Sequence, residues 1–159
     1  MTLTFGLRRS TLNDAYVLWL WRNDAETRRV SLQNAPIEWL EHISWLQERL
    51  GDPSSLVLLA ESAKGQPVGS VRFDTRDAWQ TARLSFVLAP EARGQGLGRP
   101  LVVEGVRYLR ASHPTTAIYA DVDTVNARSL RVFRGAGWTE QVSEPRAVRF
   151  WLRDGIGRA

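Results

Sequence analysis

Glycines at positions 94, 96 and 98, with Arg93 before them and the apolar run Leu101-Val102-Val103 after them, make the stretch of this chain best suited to holding an anion. Glycine weakens a segment locally unless something must come close to its bare backbone. N–H groups at a helix amino terminus have no partners inside the helix, and the helix dipole adds about half a positive charge there. A phosphate oxygen can therefore meet the backbone of Gly94, Gln95, Gly96, Leu97 and Gly98 without striking Cβ atoms, and Arg93 can add a charge-assisted contact. The expected guest is a diphosphate. A Walker loop does not fit, because Gly98 is followed by Arg99-Pro100 and not by Gly-Lys-Ser or Gly-Lys-Thr. A dinucleotide fingerprint does not fit either, because the second interval of Gly-Gln-Gly-Leu-Gly has the wrong length.

The other chemistry-bearing residues are few. In the strand "AIYADV" period-two alternation puts Tyr119 and Asp121 on one side, opposite Ile118, Ala120 and Val122. Cysteine is absent, which removes thiolate nucleophiles, disulfides and cysteine metal sites, and His42 and His113 alone offer little for a metal centre. No metal is expected. A net charge of +4 and a pI near 10.3 suit an anionic ligand, but the arginines are scattered and form no tail, which disfavours nucleic acid. No segment approaches the roughly 20 apolar residues of a membrane span, and the first residues lack a signal-peptide core, so a cytoplasmic protein without a membrane partner is expected.

The elements that must position these residues follow from periodicity. "TLTFGLRR" reads as a strand, and "STLNDAYVLWLWR" as a helix capped by Ser10 or Thr11. A second helix is expected from an Asn34 cap through Pro36 to a stop at Gly51, with Trp39, Ile43, Leu46 and Leu50 on one stripe. "SLVLLAES" and "VGSVRFD" make a hairpin, and "ARLSFVLAP" a further strand leading to the glycines. A helix with Leu97, Leu101, Val102, Val106 and Leu109 inward, the strand holding Tyr119 and Asp121, a short helix capped by Asn126, and the closing strand "PRAVRFWLR" complete the order. The fold class is α/β (α+β) in one domain, residues 1–159.

Arg93-Gly94-Gln95-Gly96-Leu97-Gly98 resembles the acetyl-CoA pyrophosphate loop of the GNAT superfamily of N-acetyltransferases. Asn126, Ser129, Phe133, Gly137 and Trp138 resemble that superfamily's second signature, downstream as its order requires. The resemblance implies an acyl-CoA N-acyltransferase fold, with a central mixed, mostly antiparallel sheet of about six to seven strands flanked by about four helices. It implies acetyl-CoA as cosubstrate. Val87 and Leu88 would offer backbone groups to the pantetheine arm, residues 93–98 would wrap the pyrophosphate, and Asn126, with Ser129 in support, would bond the arm or simply cap its helix. Asp121 stands where several relatives carry the carboxylate that accepts the amine's proton. Phe133 stands where many carry a tyrosine acid, so Tyr119 is the substitute candidate, and Arg83 stands where many carry a glutamate.

The segment from Trp19 to Leu50, through Trp21-Arg22-Asn23-Asp24, Glu41-His42 and Trp45-Leu46, resembles the group of nucleotide amino-sugar and ribosomal-protein N-acetyltransferases. That resemblance implies Arg22 on an acceptor's diphosphate or peptide acid and Trp21 or Trp45 stacked on a sugar or base, with core packing as the competing role for Trp19, Trp39 and Trp45. The expected activity is acetyl transfer from acetyl-CoA to a primary amine by direct attack. A nucleotide-linked amino sugar is the first acceptor, and a protein amino terminus or another small amine the second. A non-catalytic acetyl-CoA-binding or RNA-binding module is the remaining alternative. The strand "AVRFWLR" suits an interface as well as a core, which keeps a homodimer among the expected assemblies.

Overall fold

The computed structural model describes residues 4–153. Strand β1 (Phe5–Arg9) turns through Leu12–Asp14 into helix α1 (Ala15–Asn23). Thr11, one of the two expected caps, opens this turn. Its side chain accepts from Asn13 N, and the Asp14 carboxylate accepts from Thr11 N at 2.8 Å. A short helix α2 (Ala25–Arg29) follows, which the sequence reading lacked; Asp24 caps it by accepting from Thr27 N at 3.1 Å.

Helix α3 (Trp39–Gly51) begins later than the Asn34 cap predicts. The Asn23 side chain accounts for the delay. Its Oδ1 accepts from Ile37 N and its Nδ2 donates to Ile37 O, both at 2.8 Å, while Trp19 Nε1 donates to the same carbonyl. Held on both backbone groups by a side chain, Ile37 has neither left for a helix. His42 lies buried on α3, with Nε2 donating to Ala15 O at 2.9 Å, and so ties α3 to the start of α1.

The sheet has seven strands in the order β1-β2-β3-β4-β5-β7-β6, with β2 (Ser55–Ser62), β3 (Pro67–Asp74), β4 (Thr81–Leu88), β5 (Ala117–Asp123), β6 (Thr139–Glu144) and β7 (Ala147–Leu152). Every neighbouring pair is antiparallel except β4 and β5. The expected mixed, mostly antiparallel sheet is therefore present, with one helix more than expected. β6 was not separable in the sequence, because "TEQVSE" is exposed along its whole length and shows no alternation.

Helices α4 (Gly98–Ser112) and α5 (Ala127–Gly135) cover one face of the sheet. A Cβ on Gly105 would lie 2.8 Å from Val71 Cγ1, so the missing side chain lets α4 sit down on β3. Phe133 of α5 is 1 % exposed and packs on Phe86, Trp138 and Phe150, with ring centroids 5.8, 4.9 and 5.2 Å away. On the other face α1 and α3 lie over β2 to β4, while the face of β5, β7 and β6 stays partly open. Among the described residues no helix is long and apolar enough to cross a membrane.

Candidate active site

The parallel strands β4 and β5 pair only from Thr81 to Arg83 and from Ala117 to Tyr119, and then separate. β4 stays on β3 as far as Leu88, and β5 stays on β7 as far as Asp123. A wedge opens between them at their carboxyl ends, the place where parallel strands commonly receive ligands. Backbone groups alternate sides along a strand: Gln80 O accepts from Ala117 N on the β5 side, and Ala89 N donates to Val68 O on the β3 side. By that alternation the N–H and C=O of Phe86 and Leu88 point into the wedge. Of the two residues expected to serve the pantetheine arm, Leu88 has its backbone there, whereas Val87 turns its own toward β3. That corrects the expectation for Val87, whose backbone groups are taken up by the β3 ladder.

The glycine loop stands at the open end of the wedge. Gly94 and Gly96 have φ of 75° and 72°, and no atom lies within 4 Å of where their Cβ atoms would be. No protein acceptor takes the N–H of Gly94, Gln95, Gly96 or Leu97 among the described residues, so these donors face outward beside the start of α4. Such a cradle fits a diphosphate. Gly98 differs, because a Cβ there would lie 2.8 Å from Val132 Cγ2, and its smallness serves the contact of α4 with α5. Leu97 is buried, and Gln95 braces the loop by donating from Nε2 to Glu91 O at 2.9 Å.

Arg93 is placed differently from a simple shoulder on the phosphate. Its Nη2 donates to Asp24 Oδ2 and Thr27 Oγ1, both at 2.8 Å, and so fastens the loop to α2. Burial pushes the Asp24 carboxyl up, but the Arg93 guanidinium and the Thr27 N–H outweigh it and hold the group below its ordinary range. Across the wedge, Asn126 Oδ1 accepts from Ser129 N at 3.1 Å, the capping role weighed for it, and its amide nitrogen remains for a ligand.

On the open face the cross-strand register lines up Arg72 and Asp74 of β3, Arg83 of β4, Tyr119 and Asp121 of β5, and Arg149 and Trp151 of β7. Asp121 is held by Arg149 in a fork, with Nε to Oδ1 at 2.7 Å and Nη2 to Oδ2 at 3.0 Å, and Arg83 Nε lies 3.9 Å from Oδ2. That fork raises the Arg149 pKa. The Arg149 guanidinium also lies 4.4 Å from the Tyr119 ring centre, and the Tyr119 ring packs on Trp151. The Tyr119 hydroxyl makes no hydrogen bond among the described residues. Sequence reasoning missed Arg149 and Arg72; their signal was a single arginine on the polar side of a strand whose other side alternates toward the core.

The acceptor residues expected from α1 and α3 divide. Trp21 is 4 % exposed in the core and has no free ring face for stacking, which corrects the role expected of it. Trp45 is half-buried with Arg72 over its ring at 4.9 Å, so one face is already taken. Arg22 is half-buried, with Nη2 donating to Gln33 O at 2.7 Å and Nη1 buried without a partner. Among the described residues no cluster of His, Cys, Asp or Glu could hold a metal.

Residues 4–139 match the family of acetyltransferase (GNAT) domains. This chain belongs to the GNAT acetyltransferase family. A mycothiol acetyltransferase of Stackebrandtia nassauensis is 31 % identical over 131 residues, which are 75 % of this chain and 42 % of that relative, so the chain spans less than half of its length. The fold is shared with spermidine N-acetyltransferase of Vibrio cholerae, crystallised with CoA and spermine, at a TM-score of 0.83 and 18 % identity over 94 % of this chain and 95 % of that one. A dodecameric structure of the same Vibrio cholerae enzyme gives a TM-score of 0.78 at 18 % identity, covering 97 % and 98 %.

Proposed function

We propose that this GNAT chain is a cytoplasmic, single-domain N-acetyltransferase that moves an acetyl group from acetyl-CoA to a primary amine, with a nucleotide-linked amino sugar as first acceptor. The wedge between β4 and β5, closed by a loop of outward N–H donors, is the observation that carries the reading. Acetyl-CoA supplies an activated thioester: the amine nitrogen bonds to the acetyl carbon, the carbon–sulfur bond breaks, the amine gives up a proton and the thiolate takes one. Residues 94–97 bind the pyrophosphate, the Leu88 and Phe86 edge orients the arm, and the Leu88 N–H polarises the reacting carbonyl. Asn126 holds the arm from the β5 side.

Asp121 receives the amine's proton in this reading, directly or through water, once Arg149 releases one of its oxygens. Tyr119, with its hydroxyl free of protein partners, is the donor toward the thiolate. The arginine-rich face around Arg22 supports an acceptor bearing a diphosphate, and the partly covered Trp45 ring is the stacking surface left to it. A homodimer would not form through the backbone edge of "AVRFWLR", because β7 lies between β5 and β6 and has both edges paired.

Turnover of acetyl-CoA with amino sugars, sugar nucleotides, peptides with free amino termini and polyamines, read by thiol release and product mass, tests the activity. Release that depends on an amine and yields its N-acetyl product is expected. CoA binding without acetylation of any amine would leave only a binding module.

A further inference from the structure

We infer that Arg22, Arg72 and Arg83 form an anion subsite on the open face, separate from the glycine loop, that takes a phosphate or carboxylate carried by the acceptor amine; this assignment rests on the acetyl-transfer reading above. Each has donor capacity that the protein leaves unused. Arg22 Nη1 and Arg83 Nε are buried without a hydrogen-bond partner. Arg72 spends Nε on Asp74 Oδ2 at 2.7 Å, and its Nη groups make no hydrogen bond among the described residues. The guanidinium lies 4.9 Å over the Trp45 ring, which fixes its plane.

The carboxylates nearby are already engaged. Asp74 accepts from Ser55 Oγ at 2.8 Å as well as from Arg72, and Arg49 approaches it at 3.8 Å. Asp121 gives both oxygens to Arg149. Neither Arg22 nor Arg28 has an ion-pair partner among the described residues; Arg28 donates only to Asn34 O. Burial first, then Arg72 and Arg28, lower the Arg22 pKa, and burial together with Arg49 and Arg83 lowers that of Arg72 against the opposing pull of Asp74. Guanidinium keeps its proton at neutral pH, so these shifts mark burial and neighbouring cations and not a loss of charge.

A buried donor without a partner calls for one, and mutually repelling cations call for an anion between them. The three side chains come from α1, β3 and β4: Arg83 stands opposite Asp74, two residues along β3 from Arg72, and Arg72 in turn acts on the charge of Arg22. One bound acceptor can thus present its amine to the wedge and its acid group to the arginines. The same field disfavours polycationic amines at these arginines.

The decisive experiment saturates the protein with CoA, so that the glycine loop is occupied, and titrates inorganic phosphate while following arginine Nε–Hε NMR signals. Saturable shifts at Arg22 and Arg83 are expected, lost in Arg22→Gln and Arg83→Gln, weaker in Arg22→Lys, and kept in Arg107→Gln on the outer side of α4. In parallel, glucosamine 6-phosphate should show a KM at least about tenfold below that of glucosamine, and Arg22→Gln should erase the difference through KM with kcat little changed. Equal KM values, or no saturable phosphate shift, would overturn the subsite. Phosphate binding at these arginines with no amine acetylated would keep the subsite and overturn the acetyl-transfer reading.

Discussion

Gly96 and Gly98 stand two positions apart and answer to different constraints. Gly96 has φ of 72° in open space, so a side chain there strains the loop and shields its N–H groups; Gly98 has ordinary φ and is pressed against Val132. Gly98→Ala should therefore cost about 1–3 kcal/mol of stability by overpacking, read from the urea midpoint. At Asp121, the sequence supplied the carboxylate but not its fork with Arg149, because cross-strand partners are set by register and not by spacing along one chain. Asp121→Asn is expected to lower kcat by about a hundredfold with the KM for acetyl-CoA little changed. An unaltered kcat would leave Asp121 the single role of holding Arg149.

Elements with strong periodicity, such as α4 and β5, were legible in the sequence. Helix α2 was not, since Ala25 and four polar residues between Asp24 and Val30 carry no apolar stripe, and only the Asp24–Thr27 spacing marked it. Its anchor is tertiary: Arg93, from the glycine loop, holds Asp24 and Thr27. Arg93→Gln should accelerate amide hydrogen exchange in residues 25–30 while leaving α4 protected. The α1–α3 contact carries a pH dependence. Burial of His42 lowers its pKa from 6.5 in spite of the Ala15 carbonyl, so the unfolded chain takes up the proton first. Stability is complete above pH 6.5 and declines as the pH falls through the window below it. Thermal midpoints should fall across that range, and His42→Gln should flatten the fall. Lower still, Asp14 adds a second acid limb. Burial opposes its charge, but Arg8 and the Thr11 N–H prevail and hold its pKa below 3.8, so its contribution is lost as the pH falls through that lowered value.

At the scale of the whole molecule, the proposed function turns on one feature of the sheet: β4 and β5 begin as neighbours and then part. Nothing in either strand's residues announces the split, because it arises from each strand following a different outer partner, β3 on one side and β7 on the other. The glycine loop was legible for the opposite reason, since its requirement is local. In the proposed reading the donor side is written in a motif and the acceptor side is spread over α1, β3, β4, β5 and β7. The central claim is that the wedge with its glycine loop is the acyl-CoA site. Calorimetric titration of CoA into the wild-type protein and into Gly96→Val tests it most directly, with circular dichroism to confirm the fold. One site per chain, weakened at least about tenfold by the substitution, is the predicted result; equal affinity in the two folded proteins would contradict it.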